Sequence, residues 1–336
     1  MSDSRQIICT VLGDGGWGTA LAIHLSRLGH RVKWWGAFPD YLGELDRRRE
    51  NRKFLPGISI PRGIRLVPEL DAAVSGAQLI VLAIPSQYLR SVVRRLKPLR
   101  PRTADTFFLS VAKGLETRSL KRMSQVVREE LGPVKLAVLS GPSIASEIAR
   151  RHPASLVAAS SSPVIARTVQ RWCMGENLRI YTSTDVAGVE LGGALKNPVA
   201  IAAGVSDGLG FGANAKAALV TRGVVEMARL GAAMGAQAQT FWGLSGLGDL
   251  VTTCLLGRNH WLGEQLGKGR RLGAILASTP MVIEGVETSK AAVALARRYD
   301  IELPIIEQVH AILFRGQSPR KALQVLMLRA EKAESS

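Results

Sequence analysis

The sequence predicts an α/β fold, in which a doubly wound, mostly parallel sheet domain is followed by an all-helical domain. Two observations support this prediction. In the first half of the chain short apolar runs alternate with helical patterns, and from about Val186 onward strand-like runs almost disappear. Strands that alternate with helices are typical of a parallel sheet, because each parallel connection needs a long crossover that a helix usually provides.

The elements of the first half follow one another in a regular order. Residues 7–12 show a buried strand pattern, residues 17–28 a helical pattern that ends at Gly29, and residues 31–35 a second strand pattern. Further apolar runs, with helical stretches between most of them, lie at residues 78–84, 106–111, 136–139 and 156–159. We expect these runs to be strands of one sheet.

The second half has a different composition. Ala, Gly, Leu and Glu dominate long windows such as residues 215–234 and 289–299, which indicates helices. We place the domain boundary near residues 185–190, with a sheet domain at residues 1–188 and a helical domain at residues 189–330.

Composition excludes several classes of protein. The 336 residues include no stretch of the roughly 18 uncharged apolar residues that a membrane helix needs. The first residues lead directly into an apolar run, so we expect neither stable membrane insertion nor a signal peptide. The three cysteines form no CxxC pair and no cluster with histidines. We therefore expect no metal site, no disulfide framework and a cytoplasmic location.

The net charge of +17 is the one unusual bulk property. The basic excess is spread along the chain, except for a run of arginine and lysine within residues 47–53, and aromatic residues make up only 5%. Few aromatic side chains are then available to stack on bases. We expect a basic surface that attracts small anionic molecules, and we do not expect a nucleic-acid partner.

A glycine-rich loop, GDGGWG at residues 13–18, matches the pattern G-x-G-x-x-G between the first predicted strand and the first predicted helix. In that context Gly13 allows the tight turn, Gly15 lets the backbone approach a pyrophosphate, and Gly18 lets the helix pack closely on the strand. The alternative is a glycine turn without a ligand. The context favours a Rossmann-type dinucleotide-binding domain at residues 1–188, with the anion at the helix N-terminus.

The type of dinucleotide depends on the end of the second strand. An acidic residue there would hold the adenosine ribose of NAD, and a basic residue would favour NADP. This sequence has Gly36-Ala37-Phe38, which is neither, and Asp40 lies slightly late. The basic run within residues 47–53 either reaches a 2′-phosphate or forms a solvated helix face. We therefore expect NAD or NADP as cofactor, without strong discrimination between the two.

Two lysines are candidates for acid–base chemistry, because reduction of a ketone must protonate the developing alkoxide. Lys113 ends an apolar strand pattern, at the edge where parallel sheets bind ligands. Lys196 lies in an apolar, glycine-rich helix at residues 188–198, where burial would lower its pKa. The alternative for Lys196 is a side chain that extends from a helix face to solvent.

A polar segment at residues 246–259 supplies further candidate groups. It contains the carboxylate of Asp249, the hydroxyl of Thr253 and an Arg258-Asn259 pair after a glycine. Arginine can bind a phosphate through two parallel hydrogen bonds. The alternative is a polar loop between two helices, and the pattern alone does not separate the two interpretations.

Together these motifs resemble the NAD(P)-dependent glycerol-3-phosphate dehydrogenases. The matching stretches include GDGGWGTALA at residues 13–22, GVELGGALKN at residues 188–197 and GDLVTTC at residues 248–254. Others follow the family's order at residues 51–57, 112–116, 139–143, 207–210, 214–219, 221–223, 258–259 and 284–286. The lysine-bearing helix and the segment from Asp249 to Asn259 are particular to this family.

The resemblance implies an enzyme that reduces dihydroxyacetone phosphate to sn-glycerol 3-phosphate for glycerophospholipid synthesis, with a substrate-binding and catalytic domain at residues 189–330. Lys196 would be the general acid and base, and Asp249 would hold it charged and oriented, with Thr253 nearby. Lys113 would lie between nicotinamide and substrate and polarise the carbonyl group. The resemblance also implies a homodimer.

The resemblance implies two sets of binding residues as well. Arg258 and Asn259, assisted by Asn197, would bind the substrate phosphate. The substrate set as a whole is Lys113, Gly141, Ser143, Lys196, Asn197, Asp249, Gly257, Arg258 and Asn259. The cofactor set is Gly13, Gly15, Gly16, Trp17, Gly18, Phe54, Lys113, Ala145, Arg258, Val282 and Glu284.

The sequence departs from the family at a few positions. Bacterial relatives usually carry a basic residue near Ala37 or Phe38, a tyrosine where Phe54 stands, and often a phosphate-binding serine where Gly257 stands. Two other interpretations remain: a two-domain dehydrogenase of a small hydroxy acid, similar to ketopantoate reductase, and a non-catalytic, basic nucleotide- or RNA-binding protein. The presence of both candidate lysines together with Asp249 argues against them.

Overall fold

An eight-stranded sheet forms the centre of the first domain. The computed structural model of the chain describes residues 6–102, 105–331 and 333. The strands within them are β1 (Ile8–Leu12), β2 (Arg31–Trp35), β3 (Glu50–Asn51), β4 (Leu55–Ser59), β5 (Arg65–Leu66), β6 (Leu79–Leu82), β7 (Phe107–Ser110), β8 (Lys135–Ser140), β9 (Ala154–Ala159) and β10 (Leu178–Ser183). β3 and β4 form a separate antiparallel hairpin.

The strand order of the sheet is β10-β9-β8-β7-β6-β1-β2-β5. β1 pairs in parallel with β2 on one side and with β6 on the other, so the direction in which the chain builds the sheet reverses at β1. The remaining neighbours are also parallel, except β8 and β9, which are antiparallel. Ligands of such sheets bind outside the carboxyl ends of the strands at the point of reversal, which lies here between β1 and β6.

Helices cover both faces of the sheet, as its largely buried central strands require. One face packs against α1, α2 and α7 and the other against α3, α4 and α5, each around its own apolar cluster. The helices of this domain are α1 (Gly16–Arg27), α2 (Pro39–Arg48), α3 (Leu70–Val74), α4 (Ser86–Leu96), α5 (Met123–Leu131), α6 (Ala145–Ala149) and α7 (Pro163–Cys173). The predicted doubly wound sheet is confirmed.

The second domain is helical throughout the described residues, as predicted. Its helices are α8 (Val186–Gly208), α9 (Ala213–Ala233), α10 (Asp249–Leu255), α11 (Arg258–Gly267), α12 (Leu272–Ala277), α13 (Glu284–Tyr299), α14 (Pro304–Phe314) and α15 (Pro319–Met327). α8 is buried along residues 188–206, because α9, α10, α11 and α13 pack around it and β8 lies against it. A helix that is apolar on all sides belongs in the middle of a domain.

The start of α8 and four of the strands differ from the sequence prediction, which included neither β3, β4 and β5 nor β10. β10 was not among the predicted strands, because its first residues alternate between buried and exposed and do not form an apolar run. α8 begins at Val186, so residues 188 and 189 both lie near its start. The predicted boundary between residues 188 and 189 thus falls inside α8 and not in a loop. The assignment of cofactor binding to one side of it and substrate binding to the other stays a prediction.

Membrane-spanning helices and metal-binding clusters are absent from the described part of the chain. No helix in it combines the length and the apolar composition needed to cross a membrane. No group of three or more His, Cys, Asp or Glu side chains among these residues is arranged to hold a metal ion. The thiols of Cys9, Cys173 and Cys254 are free and buried.

Candidate active site

The loop between β1 and α1 has the geometry that a pyrophosphate site requires. Gly13 has a φ angle of +121°, and a Cβ atom there would collide with the carbonyl oxygen of Ala83. A Cβ atom on Gly18 would collide with the carbonyl oxygen of Gly13, so the helix and the turn need glycine at both positions. A Cβ atom on Gly15, in contrast, would meet no described atom within 4 Å. The loop thus leaves open space at the N-terminus of α1, which fits an anionic group.

Four further residues of the predicted cofactor set lie in or beside this loop. A Cβ atom on Gly16 would lie 2.6 Å from the carbonyl oxygen of Phe54 and 3.9 Å from the Cβ atom of Ala145. The hairpin and the start of α6 therefore close one side of the loop. The indole of Trp17 packs against the adjacent apolar cluster, and its Nε1 atom is buried without a hydrogen-bond partner among the described residues. What Trp17 can offer a pyrophosphate is its backbone N–H.

Lys196 is a deeply buried cation of the candidate site. It lies in the middle of α8 and is 5% exposed. Its Nζ atom donates a hydrogen bond to Oδ1 of Asp249 at 2.6 Å and another to Oγ1 of Thr253. Burial lowers the pKa of Lys196 to about 8, against the opposing effect of the Asp249 carboxylate. The sequence-based alternative of a lysine that extends to solvent is wrong.

Asp249 joins Lys196 to the second lysine. It is the first residue of α10, directly after a π-helical turn at Leu244–Gly248, and is 1% exposed. Its Oδ2 atom accepts a hydrogen bond from Nζ of Lys113 at 2.6 Å. Lys113 also donates to the carbonyl oxygen of Gly141 and to Oγ of Ser143, each at 2.8 Å. One carboxylate thus holds two ammonium groups, and the trio has a net positive charge when both lysines are protonated.

The two lysines meet because α8 comes very close to the carboxyl end of β8. A Cβ atom on Gly193 would lie 2.5 Å from Oγ of Ser140 and 3.5 Å from Cγ of Lys113. Any side chain at position 193 would push the helix away from the sheet domain. The glycines of the lysine-bearing helix are therefore packing residues that bring Lys196 to Lys113.

An asparagine pair extends the cluster toward α11. Nδ2 of Asn197 donates to the carbonyl oxygen of Lys113 at 3.0 Å, and its Oδ1 accepts from Nδ2 of Asn259 at 2.8 Å. Oδ1 of Asn259 accepts from the backbone N–H of Gly285 at 3.0 Å. Asn197 therefore positions both Lys113 and Asn259, and one N–H of the Asn259 amide has no hydrogen bond among those described.

The predicted phosphate-binding residues lie at the start of α11. Gly257 precedes the helix with a φ angle of +126°, a conformation that favours glycine. Arg258 is exposed, and its Nη1 atom donates to the carbonyl oxygen of Val282 at 2.8 Å. Val282 is 38% exposed. The backbone N–H groups of the first turn of α11 and the Arg258 guanidinium together form an anion-attracting surface.

Glu284 connects the second domain to the first. It begins α13, and its carboxylate accepts hydrogen bonds from the backbone N–H of Ser86 at 2.9 Å and from Oγ of Ser86 at 2.5 Å. Ser86 begins α4, immediately beyond the carboxyl end of β6. Sequence analysis missed Ser86, since no pattern around it signals a partner 198 residues away. It lies at the same edge of the sheet as the glycine-rich loop.

The basic run near the second strand is largely neutralised by its own neighbours. Arg48 pairs with Glu44 at 2.9 Å and Arg52 with Glu50 at 3.0 Å. Arg49 pairs with Asp46 at 2.5 Å and also donates to a backbone carbonyl group. These contacts favour the interpretation of the run as a solvated surface.

The end of β2 differs from the sequence prediction. A Cβ atom on Gly36 would collide with the carboxylate of Asp14, the second residue of the glycine-rich loop. Residues 36–38 carry no acidic side chain, as the sequence shows, but the Asp14 carboxylate of the loop lies against this strand end as well. The contact was missed because no local pattern in the loop indicates which neighbouring strand the Asp14 side chain meets.

Comparisons with known proteins cover both domains. The family model for the N-terminus of NAD-dependent glycerol-3-phosphate dehydrogenase matches residues 8–166, and the model for its C-terminus matches residues 185–324. The glycerol-3-phosphate dehydrogenase [NAD(P)+] of Syntrophotalea carbinolica is 47% identical over 329 residues, which cover 96% of this chain and 98% of that protein. That of Citrifermentans bemidjiense is 46% identical with the same coverage.

A solved structure agrees with the sequence matches. The crystal structure of glycerol-3-phosphate dehydrogenase from Coxiella burnetii has a TM-score of 0.93 and 38% identity, and the match covers 96% of this chain and 99% of that chain. Both family models and the full-length relatives favour this interpretation over a ketopantoate reductase-like enzyme and over a non-catalytic nucleotide-binding protein. The chain belongs to the NAD-dependent glycerol-3-phosphate dehydrogenase family.

Proposed function

We propose that Lys196, Asp249 and Lys113 form the catalytic centre of an NAD(P)-dependent sn-glycerol-3-phosphate dehydrogenase. The single observation that carries this proposal is the shared carboxylate, which holds a buried lysine of the helical domain beside a lysine of the sheet domain. Ser143 links this trio to the cofactor loop, because α6 begins at Ala145 and packs near Gly16. The trio therefore lies where the two domains meet.

Lys196 acts as the proton donor in the reduction of dihydroxyacetone phosphate. The reduced nicotinamide, when bound, supplies the hydride. The Lys196 ammonium group donates a proton to the carbonyl oxygen as it becomes a hydroxyl group, and the neutral amine removes that proton in the reverse direction. A pKa of about 8 keeps both protonation states accessible near neutral pH.

Lys113 and Asp249 prepare the site for that proton transfer. The positive charge of Lys113 stabilises the negative charge that develops on the substrate oxygen. Asp249 accepts a hydrogen bond from each lysine at 2.6 Å, which keeps two like charges side by side that would otherwise repel each other. Thr253 fixes the direction in which the Lys196 ammonium points.

The start of α11 binds the phosphate of the substrate. Arg258 supplies the guanidinium group, Asn259 supplies an uncommitted amide N–H, and Gly257 allows the backbone to approach the phosphate closely. The division of labour is then cofactor binding in residues 1–188 and substrate binding with catalysis in residues 189–330. There are exceptions in both directions: the first domain supplies Lys113, Gly141 and Ser143 to the substrate. The second domain supplies Arg258, Val282 and Glu284 to the cofactor.

A substrate screen tests the proposed function. The purified protein is supplied with NADH or NADPH and either dihydroxyacetone phosphate or ketopantoate, and oxidation of the cofactor is followed by absorbance. We expect turnover with dihydroxyacetone phosphate and none with ketopantoate. Turnover with ketopantoate alone, or with neither ketone, would contradict the proposal.

We also propose that the protein is a cytoplasmic homodimer. Free, buried cysteine thiols are consistent with a reducing compartment.

The end of α15 presents Met327 and Leu328, which are 74% and 84% exposed and would be covered by a second copy in the proposed dimer. Light scattering after size-exclusion chromatography measures the oligomeric state, and a monomer at micromolar concentration would contradict the dimer.

A further inference from the structure

The carboxylate of Asp14 occupies the space that a side chain at the end of β2 would normally fill. Gly36 follows the last residue of β2 and has no side chain. A Cβ atom built on Gly36 would lie 2.9 Å from Cγ and 3.0 Å from Cβ of Asp14. The end of the second strand is where dinucleotide-binding sheets place the acidic residue that meets the adenosine ribose. Here the glycine-rich loop supplies a carboxylate to the same place.

A buried hydrogen-bond network holds this part of the loop. Nδ2 of Asn51 donates to the backbone carbonyl oxygen of Asp14 at 2.8 Å and to Oγ1 of Thr19 at 2.7 Å. The hydroxyl group of Tyr41 donates to Oδ1 of Asn51 at 2.6 Å. Asn51 itself is fully buried. This network thus holds the backbone at Asp14, from which the side chain extends toward Gly36.

One oxygen of the Asp14 carboxylate has no hydrogen-bond partner among the described residues. Oδ2 is buried and accepts no hydrogen bond from the described residues. Burial raises the pKa of this carboxyl group, and only partial compensation comes from its own backbone and from the charge of Lys53. A buried acceptor without a donor is costly. Asp14 as a whole is only half-buried, so its carboxyl group is suited to a ligand that brings a hydroxyl group.

The charged groups near Asp14 do not neutralise the negative charge of its carboxylate. Lys53 is the nearby cation, and its Nζ lies 5.1 Å from the ring centre of Phe54 and 5.6 Å from that of Tyr41. The carboxylate of Glu44 faces the same tyrosine. The arginines that follow in sequence are paired with acidic neighbours. A 2′-phosphate at this position would meet one carboxylate directly and one lysine at the edge.

We propose that Asp14 is the residue that selects the cofactor, by accepting a hydrogen bond from the 2′-hydroxyl group of the adenosine ribose and repelling a 2′-phosphate. The inference rests on the proposed function, because it concerns the cofactor of the same reaction. It replaces the sequence-based expectation of little discrimination with a preference for NAD. The hydrogen bond to the 2′-hydroxyl group favours NAD, and the repulsion of the 2′-phosphate disfavours NADP. Selectivity between two ligands commonly combines both effects.

Binding to the protein without substrate tests this inference directly. We expect NADH to bind at least about tenfold more tightly than NADPH in fluorescence titrations, and ADP-ribose to compete better than its 2′-phosphorylated form. Asp14→Asn keeps the volume and a hydrogen-bonding group but removes the charge. It should lower the NADH-to-NADPH affinity ratio by at least about tenfold, mainly through tighter binding of NADPH.

Control variants make the result specific to Asp14. Asp40→Asn removes an acidic group four residues beyond Gly36, in the first turn of α2, and should leave the affinity ratio unchanged. Thermal melting shows whether Asp14→Asn is folded, and Asp14→Ser provides a second variant with the same expected direction. The loss of discrimination should also be smaller at high salt if charge repulsion is its cause.

The outcomes separate the inference from the proposed function. If neither reduced dinucleotide binds, the proposed function itself fails. If both bind and wild-type protein prefers NADPH, Lys53 outweighs Asp14 and the inference is overturned. If both folded variants keep the wild-type ratio, Asp14 does not meet the ribose and the inference is also overturned.

Discussion

The glycine-rich loop and the lysine–aspartate trio are built in opposite ways. The loop uses the backbone of six consecutive residues, and its side chains matter mainly where they are absent. The trio uses three side chains, with Lys113 separated from Asp249 by 136 residues and Lys196 from Asp249 by 53. A site made of backbone can be located from a short sequence pattern, whereas a site made of side chains depends on the whole tertiary structure. The two should also fail differently when mutated.

The largest effect is expected at Lys196. Lys196→Met should lower kcat by about 10²–10⁴, because it removes the general acid, and should leave the affinity for NADH nearly unchanged. Lys290→Met is a matched control, since Lys290 is partly exposed, forms an ion pair with Glu287 of its own helix and lies over the ring of Phe314. Steady-state kinetics and cofactor titration measure the two quantities. Wild-type kcat in folded Lys196→Met would remove the trio from catalysis.

The next largest effect concerns Asp249 and pH. Reduction requires protonated Lys196, so kcat/KM for reduction should be level below pH about 8 and fall above it, while oxidation should rise through the same range. Asp249 raises the pKa of Lys196, so Asp249→Asn should shift the fall to lower pH and lower the rate at neutral pH by about 10². Rate profiles across pH 6–10, about the range that brackets this pKa, provide the measurement. An unshifted profile would show that Asp249 does not act through Lys196.

A smaller effect is expected at the phosphate end of the site. Arg258→Ala should raise KM for dihydroxyacetone phosphate by about ten- to a hundredfold, because it removes a charged hydrogen-bond donor. Unphosphorylated dihydroxyacetone should be affected little. Arg270→Ala serves as the control, since Arg270 is exposed and contacts Gln265. Equal losses with both ketones would make Arg258 a structural residue.

The smallest effects distinguish two glycines of the loop. Gly15→Ala should weaken NADH binding by about tenfold without changing the melting temperature, because its Cβ atom would occupy open space reserved for the anion. Gly18→Ala should destabilise the fold by about 1–3 kcal/mol, because its Cβ atom would collide with the Gly13 carbonyl oxygen. Thermal melting and titration of the pair provide the measurement. Equal melting temperatures would show that the turn adjusts more easily than we infer.

Sequence patterns located the parts of this fold that depend on neighbouring residues. β1, α1 and β2 follow from local periodicity and a glycine signal, and α8 from its apolar composition. Lys196 stood out because a lysine in such a helix needs a partner. The partner was one of several polar residues in a later segment, and the residues themselves left a surface loop as an alternative until the resemblance to a family was considered.

The features that sequence analysis missed are contacts between distant elements. Ser86 meets Glu284 across the two domains, and Asp14 meets Gly36 across two strands. Neither contact changes the spacing of apolar residues or the residues that mark a turn. No local sequence pattern therefore predicts either contact. β10 was missed for a related reason, since its exposed positions interrupt the apolar run that marks the other strands.

The burial of α8 on all sides has a consequence for how the second domain folds. Residues 188–206 have no face that water can solvate, so α8 gains its stability only when its neighbours α9, α10, α11 and α13 are all in place. If any one of these helices detaches, apolar surface of α8 is exposed to water. The packing of α8 against the remaining helices is then destabilised as well. The domain should therefore unfold as a single cooperative unit, and the amide hydrogens of α8 should exchange with solvent only during that global unfolding.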